Sequence, residues 1–226
     1  MPNWCNTKMT ITGSEEECKR FINSIPVEEV EVDVYDYSTT YPYEKTGTRI
    51  DKRISILQSF LPCPTELFDV TSPVREEQAE LAKQMMDKYG STDWYSWQYE
   101  NWGVKWGDCH SMLEDEDVDN NGNYVVTYAF DTPWGTATQA FLKISAMFPT
   151  LRFDFFHDEE AGFFQGCEVM KNGELVFEEF FAPCEYDVEA PDYSDDEAYS
   201  AWSDKYDKWR MEQQMNIDAM VDKVDC

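Results

Sequence analysis

The start of the chain changes from an alternating pattern of apolar residues to a helical one. Residues 3–12 (NWCNTKMTIT) alternate polar and apolar side chains, which is the two-residue period of a half-buried β-strand. Gly13 ends this segment, and Ser14 followed by Glu17 is the capping-box pattern of a helix N-terminus. Apolar residues then recur three and four positions apart until Pro26. The chain is therefore predicted to begin with a strand and a helix.

A long insertion is predicted next, at about residues 28–92. Residues 28–37 (EEVEVDVYDY) alternate valines with acids, and they predict an edge strand or an extended arm whose acidic face lies in solvent. Residues 41–53 contain the only basic cluster, which we expect to neutralise neighbouring acids. A short helix is predicted over residues 54–61, and a longer one over residues 73–89, which a glycine follows.

An aromatic block follows the insertion, and its second half is predicted to be a strand. Residues 93–108 (DWYSWQYENWGVKWGD) include Trp94, Trp97, Trp102 and Trp106. We expect these four side chains to pack in the core and against the insertion, because aromatic platforms for single-stranded nucleic acid also require a basic groove. Residues 123–131 predict another strand, and residues 114–123 predict an acidic loop between the two strands.

The remaining predicted elements complete the order of strands and helices from which the fold class follows. A helix that Thr132 or Thr136 would cap is followed by a strand over residues 151–156. Two further strands flank Asn172-Gly173, the dipeptide of a type I′ hairpin turn. Without the insertion the order is βαββαβ, so we predict an α+β fold, a ferredoxin-like split βαβ sandwich. Its antiparallel sheet would have helices on one face and the first strand beside residues 151–156.

The composition changes after Pro183, where the chain becomes acidic and rich in small residues. We predict a ferredoxin-like domain over residues 1–183 and an acidic linker with a C-terminal helix over residues 184–226. The helix begins at Asp195 and has one apolar stripe, formed by Tyr199, Trp202, Tyr206, Trp209, Ile217, Met220 and Val224. We expect this stripe to pack on the domain. A dimer interface or a partner-binding surface is the alternative.

Several short motifs occur between residues 1 and 180. They are MPNWCN and TITG at the start, FLPCP at 60–64, DWYSW and NWGVKW within 93–106, and FDTPW at 130–134. Together they resemble the YubB-like ferredoxin-domain proteins of phages and plasmids. The resemblance implies a ferredoxin-like fold and an origin on a mobile genetic element, and it supplies no catalytic residues. The chain departs from that family at Gly135-Thr136-Ala137, where the family tends to have prolines, and in the acidic tail.

The net charge of −28 is the strongest compositional feature of this chain of 226 residues. Aspartates and glutamates total 46 against 18 lysines and arginines, whereas aromatic residues make up 15%. Disordered acidic chains are poor in aromatic residues, so this chain is expected to fold. Its charge disfavours direct binding to nucleic acid or to anionic membranes and favours a basic protein as partner. Adaptation to high salt is the alternative explanation of the charge, but it leaves the abundant aromatic residues unexplained.

The seven cysteines give no sign of a metal or redox motif. They are scattered, odd in number and without CxxC spacing: Cys5, Cys18, Cys63, Cys109, Cys167, Cys184 and Cys226. The N-terminus has no signal-peptide pattern, and no stretch has the roughly 20 apolar residues of a membrane helix. We therefore expect a soluble protein of the host-cell cytoplasm with reduced thiols and no disulfides.

Candidate catalytic chemistry is sparse. His110 and His157 are the only histidines, and adjacent residues such as Cys109 and His110 point to opposite faces of a strand. No phosphate-binding loop or nucleophile elbow occurs, so we expect no enzyme activity, cofactor or metal. Residues 117–122 (DVDNNG) match half of a calcium loop, but Tyr128 stands where the bidentate Glu belongs. A plain turn is the favoured interpretation, and calcium binding stays the alternative.

The leading functional hypothesis is an inhibitor of the DNA-mimic type. A phage- or plasmid-encoded acidic protein would occupy the nucleic-acid-binding surface of a host defence protein, as an anti-restriction or anti-CRISPR factor does. The mean charge density argues against it, because −28 over a surface of about 10,700 Å² is one charge per ~380 Å², against one per ~110 Å² on duplex DNA. Mimicry therefore requires the acids to concentrate on one face.

The candidate residues for such a face come from several acidic segments and from the terminal helix. They are Asp115, Glu116, Asp117, Asp119, Asp158, Glu159, Glu160, Asp192, Asp195, Asp196, Glu197, Trp202 and Trp209. The second hypothesis is an interaction module without mimicry, which would bind its partner, or a second copy in a homodimer, through the aromatic stripe of the terminal helix.

Overall fold

A computed structural model describes residues 2–182, 191–192 and 194–224. The strands are β1 (Trp4–Gly13), β2 (Glu28–Asp36), β3 (Glu44–Arg53), β4 (Cys109–Val118), β5 (Tyr124–Pro133), β6 (Arg152–Glu159), β7 (Gln165–Lys171) and β8 (Glu174–Phe181). The α-helices are α1 (Glu15–Asn23), α2 (Ile56–Phe60), α3 (Ala79–Tyr89), α4 (Trp94–Trp102), α5 (Thr138–Met147) and α6 (Asp196–Val221).

One antiparallel sheet of six strands, in the order β4-β5-β1-β6-β7-β8, organises the molecule. Its elements β1, α1, β4, β5, α5 and β6 form the split βαβ unit of a ferredoxin-like domain, which confirms the predicted fold class. Strand β1 pairs with β6, as predicted, from Cys5 opposite Glu159 to Thr12 opposite Arg152. The hairpin β7–β8 extends the sheet beyond β6. Its turn has Asn172 at φ 51° and Gly173 at φ 80°, the left-handed conformation that a type I′ turn requires.

The main core lies between one face of this sheet and helices α1 and α5. Alternating residues of the central strands, such as Met9 and Ile11 of β1 and Phe153 and Phe155 of β6, are buried on this face. Phe21 of α1 is fully buried at the centre. Its ring lies 4.8–5.9 Å from the rings of Phe60, Tyr128, Phe148 and Phe153.

Helix α6 covers the opposite face over β6 to β8, so the helices are not confined to one face as the sequence predicted. The guanidinium of Arg210 pairs with Asp158 near the end of β6. The guanidinium of Arg152, at the start of β6, donates hydrogen bonds to the carbonyl oxygens of Val221 (2.9 Å) and Val224 (2.6 Å). Between these two anchors, Ile217 is buried. The six residue steps of β6 from Arg152 to Asp158 and the eleven residue steps of α6 from Arg210 to Val221 both span about 17–20 Å, so α6 lies along β6.

Between α1 and β4 the chain forms a separate hairpin and then several short helices. Strands β2 and β3 pair only with each other among the described strands, and Lys45 and Arg49 of this hairpin bind Asp33 (2.7 Å) and Asp51 (2.8 Å). The basic cluster therefore neutralises its own neighbours, as expected. Buried Asp108 holds α2 in place by accepting hydrogen bonds from the first two backbone amides of that helix, both at 2.8 Å.

The helix predicted to start at Pro73 begins later. A 3-10 turn over Glu76–Gln78 precedes α3, which begins at Ala79 and ends at Tyr89. Gly90 follows as a C-cap in the left-handed conformation (φ 75°). Proline tolerates the first turn of a helix, but it does not fix the helix to begin there.

The second half of the aromatic block, residues 101–108, is not a strand, so that prediction was wrong. It contains the last two residues of a helix and an irregular segment over residues 103–108, and the next strand begins only at Cys109. Residues 94–102 form α4, whose N-cap Asp93 accepts a hydrogen bond from the backbone N–H of Ser96 (3.0 Å). Gly103 ends the helix at φ 82°. The N-cap Asp93 and the terminal Gly103 favour a helix over residues 94–102, and they outweigh the strand propensity of Trp and Tyr.

The acidic segment after this block is mostly strand, although the sequence predicted a loop over residues 114–123. Strand β4 continues through Val118, and only residues 119–123 form the turn to β5. Helix α5 also lacks the predicted threonine cap, because Ala137 occupies the N-cap position without a side-chain hydrogen bond. The hydroxyls of Thr132 and Thr136 bind Gly135 O and Thr138 Oγ1 instead, both at 2.7 Å.

We expect Phe21→Ala to lower the free energy of unfolding by about 3–5 kcal/mol, because it opens a cavity among four aromatic rings. The matched control is Phe163→Ala. The Phe163 side chain is 67% exposed, so this variant should change the free energy of unfolding by less than about 0.5 kcal/mol. Urea unfolding followed by circular dichroism measures both, with unchanged m-values. Equal losses in the two variants would contradict this assignment of the core.

Candidate functional site

Four consecutive acids on the edge strand form the densest acidic segment of the described structure. We name Glu114, Asp115, Glu116 and Asp117 of β4 the β4 acidic surface; all four are exposed. Strand β4 is one of the two edge strands of the sheet, and no described strand pairs with it on its outer side. Lys19 of α1 binds Glu116, and the Tyr124 hydroxyl donates a hydrogen bond to the same carboxylate at 2.7 Å. These contacts, that of Lys19 first, hold the pKa of Glu116 below its usual range.

Asp119 lies at the end of this surface and serves the turn. Its carboxylate accepts hydrogen bonds from the backbone N–H of Asn121 (2.8 Å) and from the backbone and side-chain N–H groups of Asn123 (2.9 and 3.0 Å). The hydrogen bonds from Asn123 lower the pKa of Asp119 most. The segment that resembles half a calcium loop is thus a turn between two strands. No cluster of three or more potential metal ligands occurs in the described parts of the chain.

The three acids at the end of β6 have three different environments. Asp158 pairs with Arg210, and burial nevertheless raises its pKa. Glu159 is buried and accepts a hydrogen bond from the backbone N–H of Phe163 at 3.0 Å. Of the three, Glu160 alone is exposed to solvent. This end of β6 therefore offers a partner one solvated carboxylate.

Helix α6 provides a second acidic surface at its N-terminus. Asp195 is the N-cap and accepts a hydrogen bond from the backbone N–H of Ala198 (3.0 Å), while Asp196 and Glu197 are exposed in the first turn. We name Asp195–Glu197 the α6 acidic surface. Asp192 accepts two hydrogen bonds from Ser194, which lower its pKa.

The aromatic residues of α6 form a ladder along one side of the helix. Successive ring centroids of Tyr199, Trp202, Tyr206 and Trp209 are 5.6, 5.3 and 6.1 Å apart. Trp209 also contacts Phe181 of β8 at 5.6 Å, so the ladder ends on the sheet.

The two acidic surfaces lie far apart. The paired rows of the sheet place Asp117 six residues along the strand direction from Asp158 and three strands across, which is about 20 Å by 14 Å. Asp196 precedes Arg210, the partner of Asp158, by 14 residues of α6, or about 21 Å. The candidate acids therefore do not converge, and an interface of standard size, about 800 Å² per partner, spans only one of the two surfaces.

A buried polar cluster that was not predicted from the sequence lies on the core face of the sheet. The Oγ1 atom of Thr7 is 3.0 Å from Nδ1 of His157, whose Nε2 is 3.0 Å from the carboxylate of Glu168. The thiol of Cys5 lies 4.0 Å from the same Nδ1, and the Thr138 hydroxyl donates to Glu168 at 2.7 Å. The sequence of contacts from Thr7 through His157 to Glu168 resembles that of a nucleophile, a base and an acid. All three side chains are buried, however, so a substrate in solution does not reach them. Burial also raises the pKa of Cys5 to about 12, so its thiol does not form the nucleophilic thiolate at neutral pH.

The aromatic block divides between the core and the surface. Trp102 is buried and donates a hydrogen bond from Nε1 to Leu61 O (2.9 Å), while Trp94 and Trp97 pack against the core. Trp106 instead contacts Trp134 (5.3 Å) and Trp4 (6.3 Å) at the end of the sheet where β5 ends and β1 begins. Trp134 is 49% exposed, and the sequence analysis had not assigned it a role.

Two comparisons with known proteins concern the fold. Residues 111–210 match the family model described as the ferredoxin-like domain in Api92-like protein. The crystal structure of protein api92 from Yersinia pseudotuberculosis is similar, with a TM-score of 0.41 and 12% sequence identity, over 80% of this chain and 99% of that chain. No curated protein matches the sequence. Among the described helices, none combines the length and the apolar character needed to cross a membrane.

We expect the buried thiols to react slowly in the native protein. Burial raises the pKa of Cys5 and Cys167 to about 12 and that of Cys18 and Cys63 to about 11, so all four stay protonated at pH 8. Among the five free thiols of the described residues, partly exposed Cys109 should be alkylated first, and all five should react rapidly in urea. Timed alkylation with iodoacetamide and peptide mapping by mass spectrometry measure these rates. Labelling of native Cys5 as fast as Cys109 would contradict the structure.

The same thiols predict how stability depends on pH. Unfolded thiols have a pKa of about 8.5, so above that pH the native state holds protons that the unfolded state has lost. Their contribution to stability is complete below about pH 8.5 and is lost as the pH rises toward about 12. Urea unfolding of Cys5→Ser and Cys167→Ser variants across pH 8–10 should give a shallower loss than the parent protein.

Proposed function

We propose that this protein is a non-catalytic, phage- or plasmid-encoded inhibitor that binds a basic, nucleic-acid-binding surface of a host defence protein with its β4 acidic surface. The proposal rests on local charge density. Averaged over the surface of 13675 Å², the net charge of −28 is roughly one per 490 Å², far below one per ~110 Å² on duplex DNA. Residues of a strand, however, are about 3.3 Å apart, so Glu114 to Asp117 carry one carboxylate per ~3.3 Å. One DNA strand carries one phosphate per 3.4 Å of axis.

The setting of these carboxylates also supports binding. They lie on an edge strand that pairs with β5 on both sides of a register shift at Glu114, so they are positioned before a partner arrives. Asp115, Glu116 and Asp117 pair with successive residues of β5, so Glu116 lies on one side of the edge and Asp115 and Asp117 lie on the other. Lys19 binds Glu116 alone, and no salt bridge within the described residues involves the other three. A basic partner would therefore meet charge that the protein has left largely unneutralised.

The target class follows from the same chemistry. A surface with the charge spacing of a nucleic-acid strand competes best where a protein already binds phosphates with lysines and arginines. Restriction and CRISPR complexes present such surfaces, and the resemblance to proteins of phages and plasmids supplies the biological setting. The aromatic ladder of α6 is the second candidate interface, but Trp209 already contacts Phe181 of the same chain.

We expect Asp115→Lys with Asp117→Lys to weaken binding to the partner at least tenfold at low salt, because the change places like charges opposite each other. The melting temperature should stay within about 2 °C, since solvated acids contribute little to folding. The partner is first isolated from bacterial lysate at low and high salt, and its affinity is then measured with the purified proteins. Duplex DNA should compete for the same site, and binding should weaken steeply with salt.

Two control variants locate the interface. Glu76→Lys with Glu77→Lys makes the same change in charge on the exposed turn before α3 and should leave binding unchanged apart from a small non-specific loss. Reversal of Asp195, Asp196 and Glu197 to Lys should likewise have little effect. The contrary outcome is that the β4 reversal and the α6 reversal both still bind fully, while Trp202→Ala or Trp209→Ala abolishes binding in a folded protein. In that case the aromatic ladder of α6 is the interface, and the mimicry proposal is wrong.

A further inference from the structure

A cleft of about 320 Å³ opens beside Trp134, and no residue of either acidic surface lines it. Tyr95 and Tyr99 of α4 form one wall, with their rings stacked at 6.1 Å on successive turns of the helix. Trp134, which directly follows β5, forms the opposite wall, and Lys105 lies between them. The described residues that line the cleft include no acid. Lys105 is the charged residue among them, so the local charge of the cleft is positive, although the chain has 46 acidic residues.

Aromatic rings, rather than carboxylates, position the ammonium group of Lys105. Its Nζ atom is 5.3 Å from the ring centroids of Trp106 and Trp134 and 5.8 Å from that of Tyr95. All three distances fall within the range of cation–π attraction. Such contacts orient a cation, but they leave its charge unneutralised. The cleft therefore holds a positioned positive charge that is able to accept an anion.

Trp134 is presented to the cleft by an unusual backbone. Its φ of 60° lies in the left-handed region, which bulky residues rarely occupy. The hydrogen bond from its backbone N–H to Asn3 O (2.9 Å) and the ring contact with Trp106 hold it there. A large indole kept half exposed at the expense of backbone strain indicates a surface on which a ligand stacks.

We propose that this cleft binds a small anion joined to a planar ring, namely a nucleoside monophosphate. The base would stack on Trp134 beside Tyr99, and the phosphate would bind the Lys105 ammonium. Stacking accepts any base, because every base presents a π-face. A single positive charge suits one phosphate group, whereas the net charge of −28 repels a longer polyanion from the surrounding surface. This site is independent of the β4 acidic surface.

The test titrates the purified full-length protein with adenosine 5′-monophosphate, adenosine and inorganic phosphate, followed by calorimetry and tryptophan fluorescence. We expect saturable binding of the monophosphate, at least tenfold tighter than that of adenosine or phosphate alone, with quenching of the exposed Trp134. Lys105→Met should weaken binding of the monophosphate at least fivefold and leave adenosine unchanged. The matched control is Lys83→Met on α3, which lies outside the cleft and should bind as the parent does.

Trp134→Gly tests the stacking wall by calorimetry, because glycine accepts the left-handed backbone. It should weaken both the monophosphate and adenosine. Absence of saturable monophosphate binding, equal affinity for monophosphate and adenosine, or full binding by Lys105→Met would each overturn the proposal. If the glycine variant is unfolded, Lys105→Met still decides the outcome. None of these results bears on partner binding by β4, which Asp115 and Asp117 test separately.

Discussion

The pairing of β1 with both β5 and β6 is the constraint on which the rest of this structure depends. Ten residues of β1 are paired on one side and eight on the other, all in one unbroken register. That register sets Thr7 opposite His157 and Trp4 opposite Pro133, so it creates both the buried polar cluster and the aromatic end of the sheet. It also separates Asp117 from Asp158. A slip of one residue would exchange the two faces of β1 and remove Met9 and Ile11 from the core.

The scarce basic residues are used where the fold needs them. Arg210 binds Asp158, and Arg152 donates hydrogen bonds to the carbonyl oxygens of Val221, the last residue of α6, and of Val224 just beyond it, where the helix dipole is negative. These two arginines fasten the second layer of the molecule to the sheet, and Lys19 joins α1 to the edge strand. Three of the few cations thus lie at junctions between elements, whereas others, such as Arg20 and Arg49, pair with an acid of their own helix or strand.

The sequence predicted the central strands and the last hairpin because each carries a local signal. Strand alternation defines β1 and β6, and Asn172-Gly173 specifies its turn. Helix α4 was not predicted, although Asp93 and Gly103 provide capping signals at its two ends. The candidate site was predicted only in part. Acids adjacent in sequence, such as Glu159 and Glu160, differ in burial, and the contact between Cys5 and His157 becomes visible only once the β1–β6 register is known.

The acids of β4 have a competing explanation, since charges on an edge strand also prevent the edge from pairing with another chain. That purpose is met by one or two charges, and a lysine serves it as well as an acid. Four consecutive carboxylates repel one another, and Lys19 relieves the repulsion at Glu116 alone. Edge protection thus accounts for charge on β4, but not for four consecutive acids of one sign. The acid-free cleft around Lys105 shows that the excess of acid is not uniform over the described surface. A general adaptation to salt would spread charge evenly, whereas the proposed binding of a basic partner accounts for its concentration on β4.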